Sequence, residues 1–334
     1  MAMLAEQVEG ERMARMALSM IAEPNDPDTG YILAQHGGIG TLWLVESDGP
    51  VPGLARADVM LWREHLRSRI APALLDQIGQ AERDGFGTLI PADKEWPVGL
   101  DDLGARAPYL LWTRGAVSFL STPLSDRVTF TGARASSSYG EHVTNELVTG
   151  MADEERVVVA GGAYGIEAKA HQSALAAAGH TIAVLASGLD RPYPAGHNDL
   201  LNQIGDVGLL VSELPPGSVP TKHRFQARSR LMAALSGATV IAEAGIRSGS
   251  MATMLRAHGL GRGVGAVPGP VTSVTSSGPN ELIKQGFASL VAQSSDVIAL
   301  LDADNGRSRG LAQSELGQEF GYRRPTPGAP GRSI

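Results

Sequence analysis

The sequence predicts an α/β protein: an extended Rossmann-like, doubly wound, mainly parallel sheet with a small helical N-terminal domain. Three observations predict it. From Arg127 onward, uninterrupted apolar runs alternate with amphipathic stretches, the pattern of parallel strands covered by helices on both faces. Glycine-rich turns, Gly132-Ala133-Arg134 and Gly161-Gly162-Ala163-Tyr164-Gly165, follow two of those runs, where open parallel sheets place their ligands. Before residue 86, apolar residues instead recur at helical spacing.

In order, residues 1–22 read as a helix on Leu4, Val8, Met13, Met16, Leu18 and Ile21, ended by the Pro24–Gly30 break. Helical patterns follow at 31–36, 55–68 and 70–84, completing a helical domain over 1–86. His36-Gly37-Gly38-Ile39-Gly40 within it reads either as a helix-hairpin-helix turn or as a plain glycine loop. Residues 87–124, punctuated by Pro91, Trp96, Pro97, Pro108 and Trp112, read as an irregular connector with one or two short strands. The Rossmann-like part spans 125–302, with strands at 128–131, 156–160, 181–185, 208–212, 238–243 and 264–267. Helices are expected at 139–152, 166–178, 226–236 and 250–258. The proline- and arginine-bearing segment 303–334 reads as a disordered tail.

Composition bounds the function. The chain has 334 residues and a net charge of −7, so any nucleic-acid site must be a local basic patch on an acidic body. With no cysteine, disulfides, thiolate nucleophiles and cysteine-ligated zinc are excluded. No apolar run is long enough for a membrane span, and Glu6, Glu9, Glu11 and Arg12 stand where a signal peptide needs an apolar core. A cytoplasmic protein is expected.

The densest chemical signal is Lys222-His223-Arg224-Phe225-Gln226-Ala227-Arg228-Ser229-Arg230, with five basic-capable side chains, one aromatic and no carboxylate. Arginines neutralise phosphates and an exposed ring can stack a base, so the segment points to a nucleic-acid strand. On a helix, Arg228 and Arg230 diverge by about 200°, so one lines the cleft while the other pairs with an acid or lies at its edge. Phe225 either stacks a base or plugs the core. The turn Gly132–Ser138 reads as a phosphate loop, with its serines able to cap the next helix, or as an ordinary β–α turn. Ser248, Gly249 and Ser250 open a helix and could hold an anion there, or simply cap it. Neither a dinucleotide fingerprint in the right register nor a P-loop lysine motif is present. Glu167 and His171, four apart on a helix, could pair or ligate a metal; with no third ligand at a recognisable spacing, no metal is expected.

Together these segments resemble the DNA-processing protein A family (DprA, also called Smf). The resemblance runs from Glu11 to about Leu300. It rests on Thr131-Gly132-Ala133-Arg134, Ser137 with Gly140, Ala160–Glu167 with Ala170-His171, Gly179–Pro194, Ser212–Gly217, Phe225–Arg230, Glu243–Thr253 and Val267-Pro268-Gly269. It implies a protein without catalytic residues or cofactor that binds single-stranded DNA non-specifically, protects incoming strands in natural transformation and loads the RecA recombinase, usually as a homodimer. Carried over by position, the DNA contacts would be Gly132, Ala133, Arg134, Ser137, Gly162, Ala163, Lys222, Phe225, Arg228, Arg230, Ser248, Gly249 and Thr253. The sequence departs from the family pattern at Glu167, where an aspartate is usual, at Ser229 in place of asparagine, and at Met254 in place of alanine. No winged-helix tail is expected, since only about thirty polar residues follow Leu301. Two alternatives remain: a phosphoribohydrolase-like enzyme using Glu243 with Ser248–Ser250 as phosphate cradle, and a protein scaffold that has lost DNA binding.

Overall fold

The computed structural model describes residues 3–307. Five helices lead: α1 (Leu4–Gln7), α2 (Gly10–Ile21), α3 (Pro27–Glu46), α4 (Arg56–Arg67) and α5 (Leu74–Arg83). The single helix expected over 1–22 is broken, because Val8 is extended and Gly10 takes φ 89°, a conformation glycine adopts without steric cost. Asp26 caps α3 through the Asp28 N–H, with Pro27 in the first turn. Gly37, at φ 67°, interrupts α3, and the Gly38 N–H behind it donates to both Glu11 carboxylate oxygens, at 3.0 and 2.7 Å. The amide that a helix-hairpin-helix turn would offer a phosphate is thus held by the protein's own carboxylate.

A nine-stranded sheet follows: β1 (Gly87–Leu89), β2 (Leu111–Gly115), β3 (Arg127–Thr131), β4 (Val157–Gly161), β5 (Thr181–Val184), β6 (Leu209–Ser212), β7 (Ala238–Ile241), β8 (Gly263–Ala266) and β9 (Ser289–Leu290). Their order is β1-β2-β6-β5-β4-β3-β7-β8-β9. Every pair from β6 to β9 is parallel. The chain winds from β3 through β4 and β5 to β6, then returns to lay β7 on the other side of β3. That reversal opens the crevice in which doubly wound sheets bind ligands. The connector's short strands, β1 and β2, join the sheet: β2 pairs antiparallel with β6, opposing Trp112 to Ser212, and Trp112 is fully buried.

Helices α6 (Ser138–Asp153), α7 (Ile166–Ala176), α8 (Asn198–Val207), α9 (Lys222–Ala234), α10 (Ser250–Gly259), α11 (Ser277–Lys284) and α12 (Ser294–Arg307) cover the sheet. Phe130, Val158 and Val240 pack with α6, α7 and α12 on one face. Val159, Ile182 and Val211 pack with Leu231, Met232 and Leu235 on the other. The leading helices share one apolar cluster with Ala183, Leu185, Leu201, Ile204 and Leu210 of the sheet and α8. Helix α12 runs past residue 302; of the tail expected over 303–334, everything from 308 lies outside the described residues.

Candidate nucleic-acid interface

Helix α9 begins four residues earlier than its apolar pattern implies, because Thr221 caps it by accepting from the Arg224 N–H at 3.2 Å. Lys222 and Phe225 therefore share the first turn, three residues apart and on neighbouring faces. Lys222 is exposed and Phe225 half-buried. Across the crevice, the Arg134 guanidinium carbon stands 5.0 Å from the centre of the Phe225 ring. This is a cation–π contact between the loop after β3 and the start of α9.

The rest of the basic segment divides three ways. His223 and Arg224 turn to the helical part: His223 Nε2 lies 3.2 Å from the Pro24 carbonyl, and Arg224 donates to both Glu23 oxygens, at 3.1 and 3.0 Å. Burial alone would raise the Glu23 carboxyl, but Arg224 and Arg69 outweigh it and hold it below the usual carboxylate range. Arg230 is 1% exposed and forks onto both Glu213 oxygens at 2.5 Å, so its predicted phosphate contact is corrected to a structural ion pair. Arg228, 8% exposed, donates to Glu167 at 3.2 Å and backs the Phe225 ring at 5.4 Å from its centre. It supports the ring and does not face solvent.

The glycine turns need similar correction. A Cβ at Gly132 would strike Ile166 and the Glu243 carbonyl, one at Gly161 would strike the Arg228 guanidinium, and one at Gly162 would come within 3.0 Å of the Tyr193 carbonyl. Close packing of the protein on itself accounts for these residues. The Ala133 N–H donates to the Glu243 carbonyl at 2.5 Å and the Ala163 N–H to the Glu167 carboxylate at 3.2 Å, so both expected phosphate donors are engaged internally. Ser137 caps α6 and gives its hydroxyl to Glu243 at 2.6 Å. Thr253 is buried. Ser248 accepts from the Ser250 N–H at 3.3 Å, whereas the space a Cβ would take at Gly249 is open. Of the thirteen candidates, Ala133, Arg134, Ser137, Lys222, Phe225 and the Ser248-Gly249 turn remain at least partly accessible, although the Ala133 N–H and the Ser137 hydroxyl are already engaged by Glu243.

Glu243 is a brace: its oxygens accept from the Ser137 N–H at 2.8 Å, the Ser137 hydroxyl and the Thr275 hydroxyl at 3.0 Å. Glu167 similarly takes the Thr131 hydroxyl at 3.1 Å besides Ala163 and Arg228. Ser229 donates to the Phe225 carbonyl at 3.1 Å. Among the described residues, no group of three or more His, Asp and Glu side chains is placed to hold a metal.

His171 is fully buried and does not pair with Glu167 in a hydrogen bond. Its Nε2 lies 3.1 Å from the Gly161 carbonyl and its Nδ1 2.7 Å from the Thr181 hydroxyl, which itself donates to the Val158 carbonyl at 3.0 Å. Burial lowers its pKa from the ordinary 6.5 to about 4. The folded state therefore excludes a proton that the unfolded chain binds below pH 6.5, and stability falls as pH drops from 6.5 towards 4. The loss should be on the order of 3 kcal/mol. Urea titrations at stepped pH check this: a His171→Gln variant should show a flatter slope across that window.

Sequence reasoning missed two aromatic residues. Tyr164 and Tyr193 are 48% and 46% exposed. Tyr193 meets Phe225 edge-on at 5.9 Å between ring centres, and Tyr164 meets His197 at 4.3 Å. A lone aromatic in a polar, proline-bounded loop, as in Arg191-Pro192-Tyr193-Pro194, was the available signal.

The family sequence model described as DNA recombination-mediator protein A matches residues 87–302, more than half of the chain. The chain belongs to this family. A putative DNA processing protein DprA of Mycobacterium tuberculosis is 44% identical over 233 residues, 67% of this chain and 59% of the relative. The chain thus spans less than two thirds of that relative's length. DNA processing protein DprA of Streptococcus pneumoniae is 40% identical over 193 residues, 58% of this chain and 67% of the relative. Its X-ray structure superposes with a TM-score of 0.72 at 32% identity, over 87% of this chain and 98% of that one. A structure of DNA processing protein A from Helicobacter pylori, described for its single-stranded DNA binding mode, matches with a TM-score of 0.59 at 30% identity. That match covers 66% of this chain and 97% of that one. No described helix is long and apolar enough to cross a membrane.

Proposed function

We propose that this chain binds single-stranded DNA without sequence preference in the crevice at the strand reversal, and passes the strand to the RecA recombinase. One observation carries the reading: Arg134 lies over the half-buried Phe225 ring beside exposed Lys222, so cations and a ring converge where the sheet receives ligands. The recombination-mediator family and the H. pylori relative's single-stranded DNA binding support it. The same reading has the chain act as a cytoplasmic homodimer during DNA uptake or recombination. It separates a helical part over 1–86 from the sheet-bearing part, a division supported by the family match starting at residue 87. Phosphate contacts supply most of the affinity, because they need no particular base.

The hydrolase alternative loses its base, since the Glu243 carboxylate already receives three hydrogen bonds from Ser137 and Thr275. The motive for a scaffold without DNA binding also weakens: Glu167 still reaches Arg228, and Ser229 is satisfied within its own helix.

The test is fluorescence anisotropy with labelled dT and mixed-sequence oligonucleotides of equal length. Both should bind with similar affinity, and the logarithm of the binding constant should fall linearly with the logarithm of salt. Failure to retain either strand at about 50 mM salt would overturn the reading. For the hand-over, the lag of RecA's DNA-dependent ATP hydrolysis should shorten when the chain is present.

A further inference from the structure

Tyr164 and Tyr193 lie outside the contacts assigned above, yet the fold presents them beside those contacts. The loop after β5 that carries Tyr193 is pinned: the Gly188 N–H donates to the Ser218 carbonyl at 2.9 Å, and Asp190 accepts from the Gly217 N–H at 2.7 Å. The Tyr193 carbonyl approaches Gly162, and His197 is fixed by a 3.0 Å contact from Nδ1 to the Gly162 carbonyl. Tyr164, two residues past Gly162, sets its ring against His197, and its hydroxyl comes so close to Gly196 that a Cβ there would collide with it. Gly165, the next residue, packs on the carbonyls of Ala133 and Arg134. The rings therefore form two pairs that meet at Gly162: Phe225 under Arg134 with Tyr193 edge-on to it, and Tyr164 against His197, with the Tyr193 carbonyl and His197 Nδ1 both reaching Gly162.

Each nearly half-exposed ring is held by a neighbour, so immobilising it on a ligand costs little further entropy. A base has a π-face whatever its identity, and two ring pairs beside exposed cations suit a single strand whose bases are splayed to one side.

We propose that Tyr193 and Tyr164 form a second base-stacking platform, which carries nucleobases of the strand beyond the one at Phe225. The proposal deepens the single-stranded DNA reading and rests on it. The platform adds affinity without adding charge, so its removal lowers affinity and leaves the salt slope unchanged.

The full chain, its Tyr164→Ala/Tyr193→Ala variant and its Tyr164→Phe/Tyr193→Phe variant are titrated against a dT strand and against the same strand bearing abasic tetrahydrofuran residues. The alanine variant should bind dT about tenfold or more weaker per ring removed, with the parent's salt dependence. The phenylalanine variant should match the parent, and on the abasic strand all three should bind alike. If the alanine variant binds dT like the parent, or its deficit persists on the abasic strand, the platform is overturned. An Arg134→Ala measurement in the same series separates the two claims. Weak binding by that variant with no tyrosine effect sinks the platform alone, whereas parental binding by both variants sinks the crevice reading as well.

Discussion

Alanine at both Arg134 and Lys222 should weaken dT binding by roughly a hundredfold, about tenfold for each charge-assisted phosphate contact removed. These are the accessible cations flanking Phe225, one on the loop after β3 and one on the first turn of α9. The slope of log affinity against log salt should become less negative by about 1.4, because single strands release about 0.7 counterion per neutralised phosphate. Both side chains are exposed and lie outside the apolar clusters, so the unfolding midpoint in urea should match the parent's. Anisotropy titrations at four salt concentrations read both quantities. An unchanged slope would mean that neither residue touches a phosphate, whatever happens to the affinity.

Glu213→Ala should produce the opposite pattern. It leaves the Arg230 guanidinium, 1% exposed, without its carboxylate, and stranding one half of a buried pair costs about 3–5 kcal/mol. Arg230 retains the carbonyls of Arg106 and Ala227, at 2.7 and 2.9 Å, which satisfy its donors but not its charge. Urea unfolding should show the loss directly. Replacing both partners with apolar residues of similar volume, Glu213→Leu with Arg230→Met, should recover much of it, because no uncompensated charge then remains. Neither change should alter the salt slope of DNA binding. A stable Arg230→Met variant with a shallower slope would instead return this arginine to the DNA-contacting set.

The sheet was legible because buried parallel strands need no polar alternation: runs such as Val157-Val158-Val159 have one plausible environment. Helix ends were less so, since α9 starts at a Thr221 cap that its apolar period does not reveal. The site was legible as a region and not as a set of contacts. Charge in a sequence says nothing of its partner, and the partners of Arg224, Arg228 and Arg230 are Glu23, Glu167 and Glu213, the first two far away in the chain. The glycines were misread for a related reason. At Gly132 and Gly161, the atoms that leave no room for a side chain belong to the protein's own distant segments. Tyr193 was overlooked despite its polar, proline-bounded loop, and Tyr164 sits in a glycine turn whose sequence does not separate an exposed ring from a buried one.

The apolar cluster joining α1–α5 to β5, β6 and α8 has a thermodynamic consequence. Two regions that bury their oily surface against each other have no separate melting points, because freeing either wets the other. Heating should therefore give a single calorimetric endotherm across residues 4–301, and a protein shortened to begin at β1 would expose Ala183, Leu201 and Leu210 to water and tend to self-associate.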